Sequence, residues 1–372
     1  MTPLADLLRT AYKNRKVLIT GHTGFKGSWL ALWLREIDAD VAGFALDPHT
    51  ERDNFVRSQV GKHMRDFRGD IRDFETVRKV FDEFRPEFVF HLAAQALVRD
   101  GYAMPKETFD TNVGGTVNIL ECSRLTDSVR VIINVTSDKC YENKEWTWGY
   151  RECDPMGGHD PYSSSKGCSE LVSSAYRRSF FDDNAPAGSP AVLSTVRAGN
   201  VIGGGDWAND RIVPDCIRAL EAGLPIQVRN PLAVRPWQHV LEPLGGYLLL
   251  GAMMSKYGRD YAGPWNFGPE RSSSINVGNL VDLIVRAWGS GRWESAFTGN
   301  AVHEANLLTL DINKARYQLG WSPCLDVEQA IEKTVEWYRE NIKGADMATL
   351  VKRQIWDHMG EMRIDDRTRR AD

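Results

Sequence analysis

The chain has 372 residues with 46 basic and 50 acidic side chains, a net charge of −4. It is long enough to bury a large interior and too evenly charged to favour a nucleic-acid duplex or an anionic membrane as partner. Its six cysteines, Cys122, Cys140, Cys153, Cys168, Cys216 and Cys324, show no CxxC or clustered spacing, which argues against a disulfide scaffold and points to no metal site.

Met1 to Arg15 lacks the apolar centre of a signal peptide, and the longest apolar run, around Tyr247 to Met254, is too short to span a bilayer. A cytoplasmic protein with no membrane partner is expected. In chain order, the β-branched run Lys16-Val-Leu-Ile-Thr20 breaks into Gly21, Gly24 and Gly27 and then resumes with helical spacing. That predicts a strand, a tight turn and a helix N-terminus. Gly21 can make the turn, Gly24 lets a pyrophosphate approach the backbone, and Gly27 lets the helix lie close to the strand. Thr23, Phe25 and Lys26 lie in the same turn and join the glycines as cofactor-binding candidates, with the helix amides facing the anion. His22, also inside the turn, is a further candidate for contact with a phosphate or a sugar.

A helix over Ser28 to Ile37 and a strand over Asp40 to Leu46 follow. Asp47 stands about 20 residues beyond Gly27, where a carboxylate accepts an adenosine 2′-hydroxyl and repels a 2′-phosphate, which favours NAD over NADP. Phe67 to Asp73 ends a third strand, and Asp70 can receive the adenine amino group while Ile71 covers the ring. A helix over Phe74 to Phe84 leads to a fourth strand, Pro86 to Leu92, running into Ala93-Ala94-Gln95. Small residues there let a cofactor lie against the strand ends. The repeated alternation of strand and helix predicts an α/β fold with a Rossmann-type, doubly wound parallel sheet.

Asn112 sits in a helix whose paired glycines, Gly114 and Gly115, imply tight packing, and its amide is read as structural. Arg130 to Val135 is a central strand that delivers Thr136-Ser137-Asp138-Lys139 to its carboxyl end. Pro161-Tyr162-Ser-Ser-Ser-Lys166 opens the next helix. Residues at i and i+4 share a face, so the Tyr162 phenol and Lys166 ammonium can point into one cleft, where a cation favours phenolate.

This order of motifs resembles the extended short-chain dehydrogenase/reductase superfamily from Lys16 to about Tyr338. The elements that carry the resemblance are the glycine turn, Asp70-Ile71, Leu92-Ala93-Ala94, Asn112, Ser137, Tyr162, Lys166 and Arg197-Ala-Gly-Asn200. Thr309 to Ala315 with Leu319-Gly320-Trp321 resembles its sugar-nucleotide branch. Four stretches narrow this further: Gly21 to Gly27, Thr136 to Asn143, Gly199 to Ala208 and Arg235-Pro-Trp-Gln-His-Val240. They are similar to the CDP-glucose branch of the 4,6-dehydratases, and His303-Glu-Ala305 fits the same branch.

The resemblance implies a lyase that turns CDP-D-glucose into CDP-4-keto-6-deoxy-D-glucose and water through bound NAD, in deoxysugar (lipopolysaccharide O-antigen) biosynthesis. Tyr162 would take the 4-hydroxyl proton, with Ser137 or Thr136 steadying that oxygen; Thr136 also stands among the cofactor-binding residues. Asp138 would be the acid for the 6-hydroxyl. Lys139 replaces the glutamate base of the dTDP-glucose branch, so the C5 base is open between Lys139, Tyr162 and another group. Gln95, Asn200, Arg211 and Arg235 would bind the nucleotide-sugar, the arginines through its diphosphate. Trp207 and Trp237 could stack on a base or sugar, or simply pack in the core.

Prolines 214, 225, 231 and 236 punctuate a smaller, mixed lobe. The expected division is 1–198 for NAD and 199–372 for the nucleotide-sugar, with part of 238–260 returning to the first domain. Helices are expected over Leu325 to Asn341 and Leu350 to Met362, the latter free to dock on a neighbouring subunit, and the tail Arg363 to Arg370 is read as a solvated end. Two long helices on one face would allow a homo-oligomer through a four-helix contact. A nucleotide-sugar 4-epimerase and a non-catalytic NAD-binding scaffold are the competing readings. Asp138-Lys139 argues against the first and the Ser-Tyr-Lys set against the second.

Overall fold

Seven short apolar runs become the strands of one sheet: β1 (Lys16–Thr20), β2 (Asp40–Ala45), β3 (Arg65–Arg68), β4 (Phe88–His91), β5 (Val131–Val135), β6 (Val192–Arg197) and β7 (Gly263–Asn266). A computed structural model describes residues 3–182, 189–296 and 307–363. Every neighbouring pair is parallel, in the order β7-β6-β5-β4-β1-β2-β3. The order reverses between β1 and β4, which opens the ligand crevice at their carboxyl ends. The expected doubly wound sheet is therefore the observed one.

Both faces are covered, as a parallel sheet requires. Alternation along β1 sends Val17 and Ile19 into one core and Leu18 into the other; Ile133 and Ile132 divide the same way on β5. The helices that matter for the site are α1 (Pro3–Tyr12), α2 (Phe25–Glu36), α3 (Phe74–Phe84), α4 (Gly115–Arg124), α5 (Pro161–Ser179), α6 (Leu241–Tyr257), α7 (Val327–Ile342) and α8 (Met347–Glu361). Helix α1 was not foreseen. It buries Leu4, Leu8 and Tyr12, and the Tyr12 hydroxyl donates to the Leu248 carbonyl of α6 at 2.8 Å.

Past residue 199 the chain adds three two-stranded pairs and further helices outside the large sheet, while α6 packs on that sheet and β7 joins its edge. One expectation fails here. Helix α8 does not present an apolar face to a neighbour, because Val351, Ile355, His358 and Met359 are buried within the chain and the Trp33 indole of α2 donates to the Met359 sulfur. The His303 to Ala305 motif and residues 364–370 of the basic tail lie outside the described residues.

The fold also assembles a cluster that no spacing revealed: ligand-type atoms of Glu242, Cys324 and His358 lie within 4.8 Å of one another. Glu242 Oε1 accepts the amides of Cys324 at 3.0 Å and Leu325 at 2.7 Å, so the carboxyl pins the loop that precedes α7 onto α6. Burial pushes Glu242 up from 4.5 to about 7, against the lowering effect of the two amides.

A carboxyl whose pKa is raised on folding contributes its full share of stability below about pH 4.5. That share is lost as pH rises through about 7. In Glu242→Gln the side chain cannot ionise, so the fall in urea midpoint between about pH 5 and about pH 8 should shrink. An unchanged fall would place the titration elsewhere.

Candidate active site

The turn between β1 and α2 is closed on itself. Gly21 has φ 77°, and a Cβ there would stand 2.7 Å from the Ala93 nitrogen; a Cβ at Gly27 would stand 2.1 Å from the Gly21 carbonyl oxygen. Helix α2 starts after Gly24 with no side-chain cap, so no side chain competes with an anion for its first-turn amides. The turn is tied to β2 and β4, with Thr23 Oγ1 donating to the Leu46 carbonyl at 3.0 Å and the Ala93 amide donating to Thr20 Oγ1 at 3.2 Å. This is a cradle that a Cβ would fill, and it fits the diphosphate of a dinucleotide. Phe25 is half-buried beneath Gly203, where a Cβ would meet its ring at 3.0 Å. Leu92, Ala93 and Ala94 are half-buried at the end of β4, lining the crevice mouth.

Asp47 projects from the end of β2 with its side chain 87% exposed, 3.6 Å from Arg68. Asp70 is held by Arg72 and the Arg72 amide, which keep its carboxyl below the usual range. The Ile71 side chain is buried, so close to Gly115 that a Cβ there would meet it at 2.4 Å. His22 departs from expectation. Its ring is fully buried over Gly43, bonds Asp66 at 2.8 Å and meets Phe55 edge-on, away from the cradle.

The end of β5 gathers the reacting groups. Ser137 caps a 3-10 turn, Asp138–Cys140, accepting the Lys139 amide at 3.2 Å and donating to Asp138 Oδ1 at 3.0 Å. Asp138 is buried, and it fits only because residue 199 is glycine: a Cβ there would lie 1.8 Å from Asp138 Oδ2. Lys139, one step on, is half-buried. Tyr162 and Lys166 project from α5 into the same buried region.

Burial pushes Tyr162 up to about 12, Asp138 adds to the rise, and a hydrogen bond with Ser137 and the charge of Arg211 oppose it. The expected relief by Lys166 is not what the geometry provides, since its ammonium donates to the Val135 carbonyl at 3.3 Å. Burial brings Lys166 down to about 8. Lys26 is likewise lowered to about 8 by burial, then by Arg211 and Lys166, with Asp138 pulling the other way. The lysine of the glycine turn therefore belongs to the same electrostatic cluster as Asp138 at the strand end.

Thr136 faces the other way, donating to Glu170 Oε1 at 2.5 Å, so its hydroxyl cannot steady an oxygen in the cleft. It belongs to a buried network that sequence reasoning missed. Arg197 and Glu170 pair at 2.8 Å, Thr195 donates to Glu170 at 2.7 Å, and Arg197 donates to Tyr141 at 2.6 Å. Burial alone would raise Glu170, but Arg197 and the two threonines hold it below its usual value. Its spacing from Lys166, one further helical turn on α5, was the available signal.

Of the residues expected to bind the nucleotide-sugar, Gln95 is spent on a local turn. Its amide donates to the Leu97 carbonyl and its oxygen accepts the Leu97 amide, while Asn112 bonds the Gln95 backbone on both sides and Ser165 of α5. Asn200 stands in the left-handed region with φ 47°, half-buried past the end of β6. Arg211 pairs with Asp206 at 2.8 Å and acts on Tyr162. Arg235 lies on the strand Val234–Pro236, half-buried. Trp207 and Trp237 are both core residues, Trp207 under the Arg52 guanidinium at 3.5 Å and Trp237 donating to the Ile275 carbonyl.

A phosphate cradle at the sheet's switch point, feeding a helix-borne phenol beside a buried carboxylate, defines the class of nucleotide-sugar epimerases and dehydratases. Residues 18–242 match the family described as GDP-mannose 4,6 dehydratase, and the chain belongs to it. It is 48% identical over 348 residues to the CDP-glucose 4,6-dehydratase of Salmonella typhimurium, across 94% of this chain and 97% of that protein. Among solved structures, the Bacillus anthracis dTDP-glucose 4,6-dehydratase in complex with NAD is 21% identical with a TM-score of 0.72, covering 90% of this chain and 99% of that one. The Thermus thermophilus UDP-glucose 4-epimerase complex with NAD is 25% identical with a TM-score of 0.73, covering 87% and 99%.

Two substitutions separate scaffold from chemistry. Glu170→Gln leaves Arg197 buried without its counter-charge and should cost about 3–5 kcal/mol in urea denaturation; a loss under about 1 kcal/mol would show that the pair is dispensable. Gly199→Ala should displace Asp138 and lower kcat by about 100-fold or more, at the about 1–3 kcal/mol stability cost typical of overpacking. Wild-type turnover in that variant would remove Asp138 from the site.

Proposed function

We propose that this protein converts CDP-glucose into CDP-4-keto-6-deoxy-glucose and water, as a lyase of deoxysugar biosynthesis acting in the cytoplasm. The observation that carries the reading is the placement of Asp138, a buried carboxyl within the electrostatic reach of the Tyr162 phenol and backed by a glycine that makes room for it. A dehydration needs an acid for a leaving hydroxyl as well as a base for a sugar hydroxyl, and an epimerisation at C4 needs no such acid. The likeness to the Salmonella enzyme supports CDP-glucose as the substrate.

Gly21, Gly24 and Gly27 would hold the diphosphate of NAD, and the nicotinamide would supply the redox chemistry, with hydride leaving sugar C4 and coming back at C6. Asp47 and Asp70 would take the adenosine end of NAD, and the α2 amides with Lys26 its diphosphate. Tyr162 removes the 4-hydroxyl proton, with Ser137 bonded to the phenol to share the developing charge. The resulting 4-ketone acidifies C5. Asp138 protonates the departing 6-hydroxyl; the C5 proton goes to Lys139, Tyr162 or another group, with a charged Lys139 otherwise stabilising the enolate, and C5 is reprotonated as hydride reaches C6. Arg211 and Arg235 hold the substrate diphosphate, Arg211 with its guanidinium oriented by Asp206.

The first domain, 1–198 with α6 and β7 added to it, serves NAD; the remainder to 372 serves the nucleotide-sugar. The outer faces of α4 and α5 expose Leu171, and Leu125 follows at the end of α4, which supports pairing of two copies through four helices. Among the described residues, no helix is long and apolar enough to cross a membrane.

CDP-glucose carrying deuterium at C4 should yield product with the label in its methyl group, read by mass spectrometry. Label retained at C4 or lost to solvent would reject the reading. Tyr162→Phe and Asp138→Asn should each lower kcat by about 100-fold to 10,000-fold. An isomerised hexose with no keto product would instead establish an epimerase.

A further inference from the structure

The segment that leaves the Asp138–Cys140 turn does not return directly to α5. It runs out as a ladder of four stacked rings. Tyr141, fully buried, stacks on Tyr150 at 5.2 Å and 27°; Tyr150 stacks on Trp146 at 5.4 Å and 11°; Trp146 meets Trp148 at 5.2 Å and 34°. The inner end is fixed to the catalytic frame, with the Tyr141 hydroxyl donating to Asn266 and accepting from Arg197. At the outer end the Trp148 indole is 58% exposed.

The ladder is held rigid along its length. The Lys144 amide donates to the Tyr150 hydroxyl, which donates to Asn143, and Asn143 donates to the Leu307 carbonyl at 3.1 Å. Gly149 sits so close to residues 310 and 311 that a Cβ would stand 2.5 Å from the Asp311 nitrogen. Between the two tryptophans, the Thr147 carbonyl accepts Arg271 of the second lobe at 2.9 Å. Arg271 begins the turn into Ser274–Asn276, the strand that places Ile275 opposite Arg235. The exposed indole therefore stands on a stiff arm between the catalytic turn and the lobe that carries Arg235.

We propose that Trp148, braced by Trp146, is the stacking platform for the pyrimidine base of the substrate. The inference rests on the nucleotide-sugar reading above. A rigid, solvent-facing indole loses little conformational freedom on binding a flat ring, and the ring behind it keeps it from turning away. Arg271, anchored on the same arm, adds a cation beside the platform. Stacking reads the π-face of a base and not its edge, so Trp148 supplies affinity for pyrimidine nucleotides in general. It does not select cytosine.

The test uses the full chain and CDP as the probe, by isothermal titration, alongside turnover of CDP-glucose. Trp148→Ala should weaken CDP binding about tenfold, with the loss of turnover appearing in KM and not in kcat, and Trp148→Phe should recover part of it. UDP should lose affinity by the same factor. CDP binding as tight as wild type in Trp148→Ala would overturn the proposal, as would an unchanged affinity accompanied by dissociation of an oligomer, which would make the indole an intersubunit contact. Wild-type enzyme that binds CDP but does not turn over CDP-glucose would refute the dehydratase reading and leave the stacking measurement to stand on its own.

Discussion

The buried pair of Arg197 and Glu170 is the constraint on which the site depends. Its two charges sit at 3% and 5% side-chain exposure, where an ion pair with unsatisfied hydrogen-bond positions would be costly. Here the remaining positions are filled by four partners: Thr136 at the end of β5, Thr195 on β6, Tyr141 after the Asp138–Cys140 turn and the Glu152 carbonyl. The pair thus fixes the rotation of α5 against two strand ends. Tyr162 and Lys166 lie two turns and one turn upstream on that helix, so what holds Glu170 also aims the phenol and ammonium into the cleft. The cost of burying charge is met by making one rigid corner out of four chain segments.

A second constraint is space. The cradle works because Gly27 touches the Gly21 carbonyl, and the carboxylate works because Gly199 leaves its neighbour room. In both places a single methyl group would push a functional atom out of position. The two glycines come from distant parts of the chain, one in the first turn of α2 and one after β6. The lobe interface is pinned separately, by Glu242 reaching the amides before α7, so the crevice walls are set by contacts that do not themselves take part in chemistry.

What could be read from the sequence, and what could not, divides along a physical line. Periodicity and glycine spacing located β1, β2, β4, β5, α3 and the cradle to within a residue or two, because these are backbone properties that act locally; the short edge strand β7, which opens on Gly263-Pro264, was not picked out. Side-chain direction is a tertiary property, and there the reading went astray. His22, Gln95 and Thr136 all stand where the motif order puts them, yet each turns its functional atoms into the core or a local turn. Helix α8 was misjudged for a related reason: its apolar stripe was visible, but the surface it covers, built from α2, α6 and α7, was not. Glu170 and Gly199 escaped notice as participants because their partners, Arg197 and Asp138, are remote in sequence.

The electrostatics of the cleft tie the phenol to groups from three segments of the chain. Burial raises the Tyr162 pKa and the charge of Asp138 adds to the rise, while the hydrogen bond with Ser137 and the charge of Arg211 oppose it. The proton affinity of the phenol is thus set jointly by its burial and by the polar groups that the end of β5 and the segment before Ile212 bring beside it. The Asp138–Gly199 contact is what leaves room for the carboxyl beside the phenol, so the backbone after β6 is as much a part of this electrostatic arrangement as the carboxyl itself.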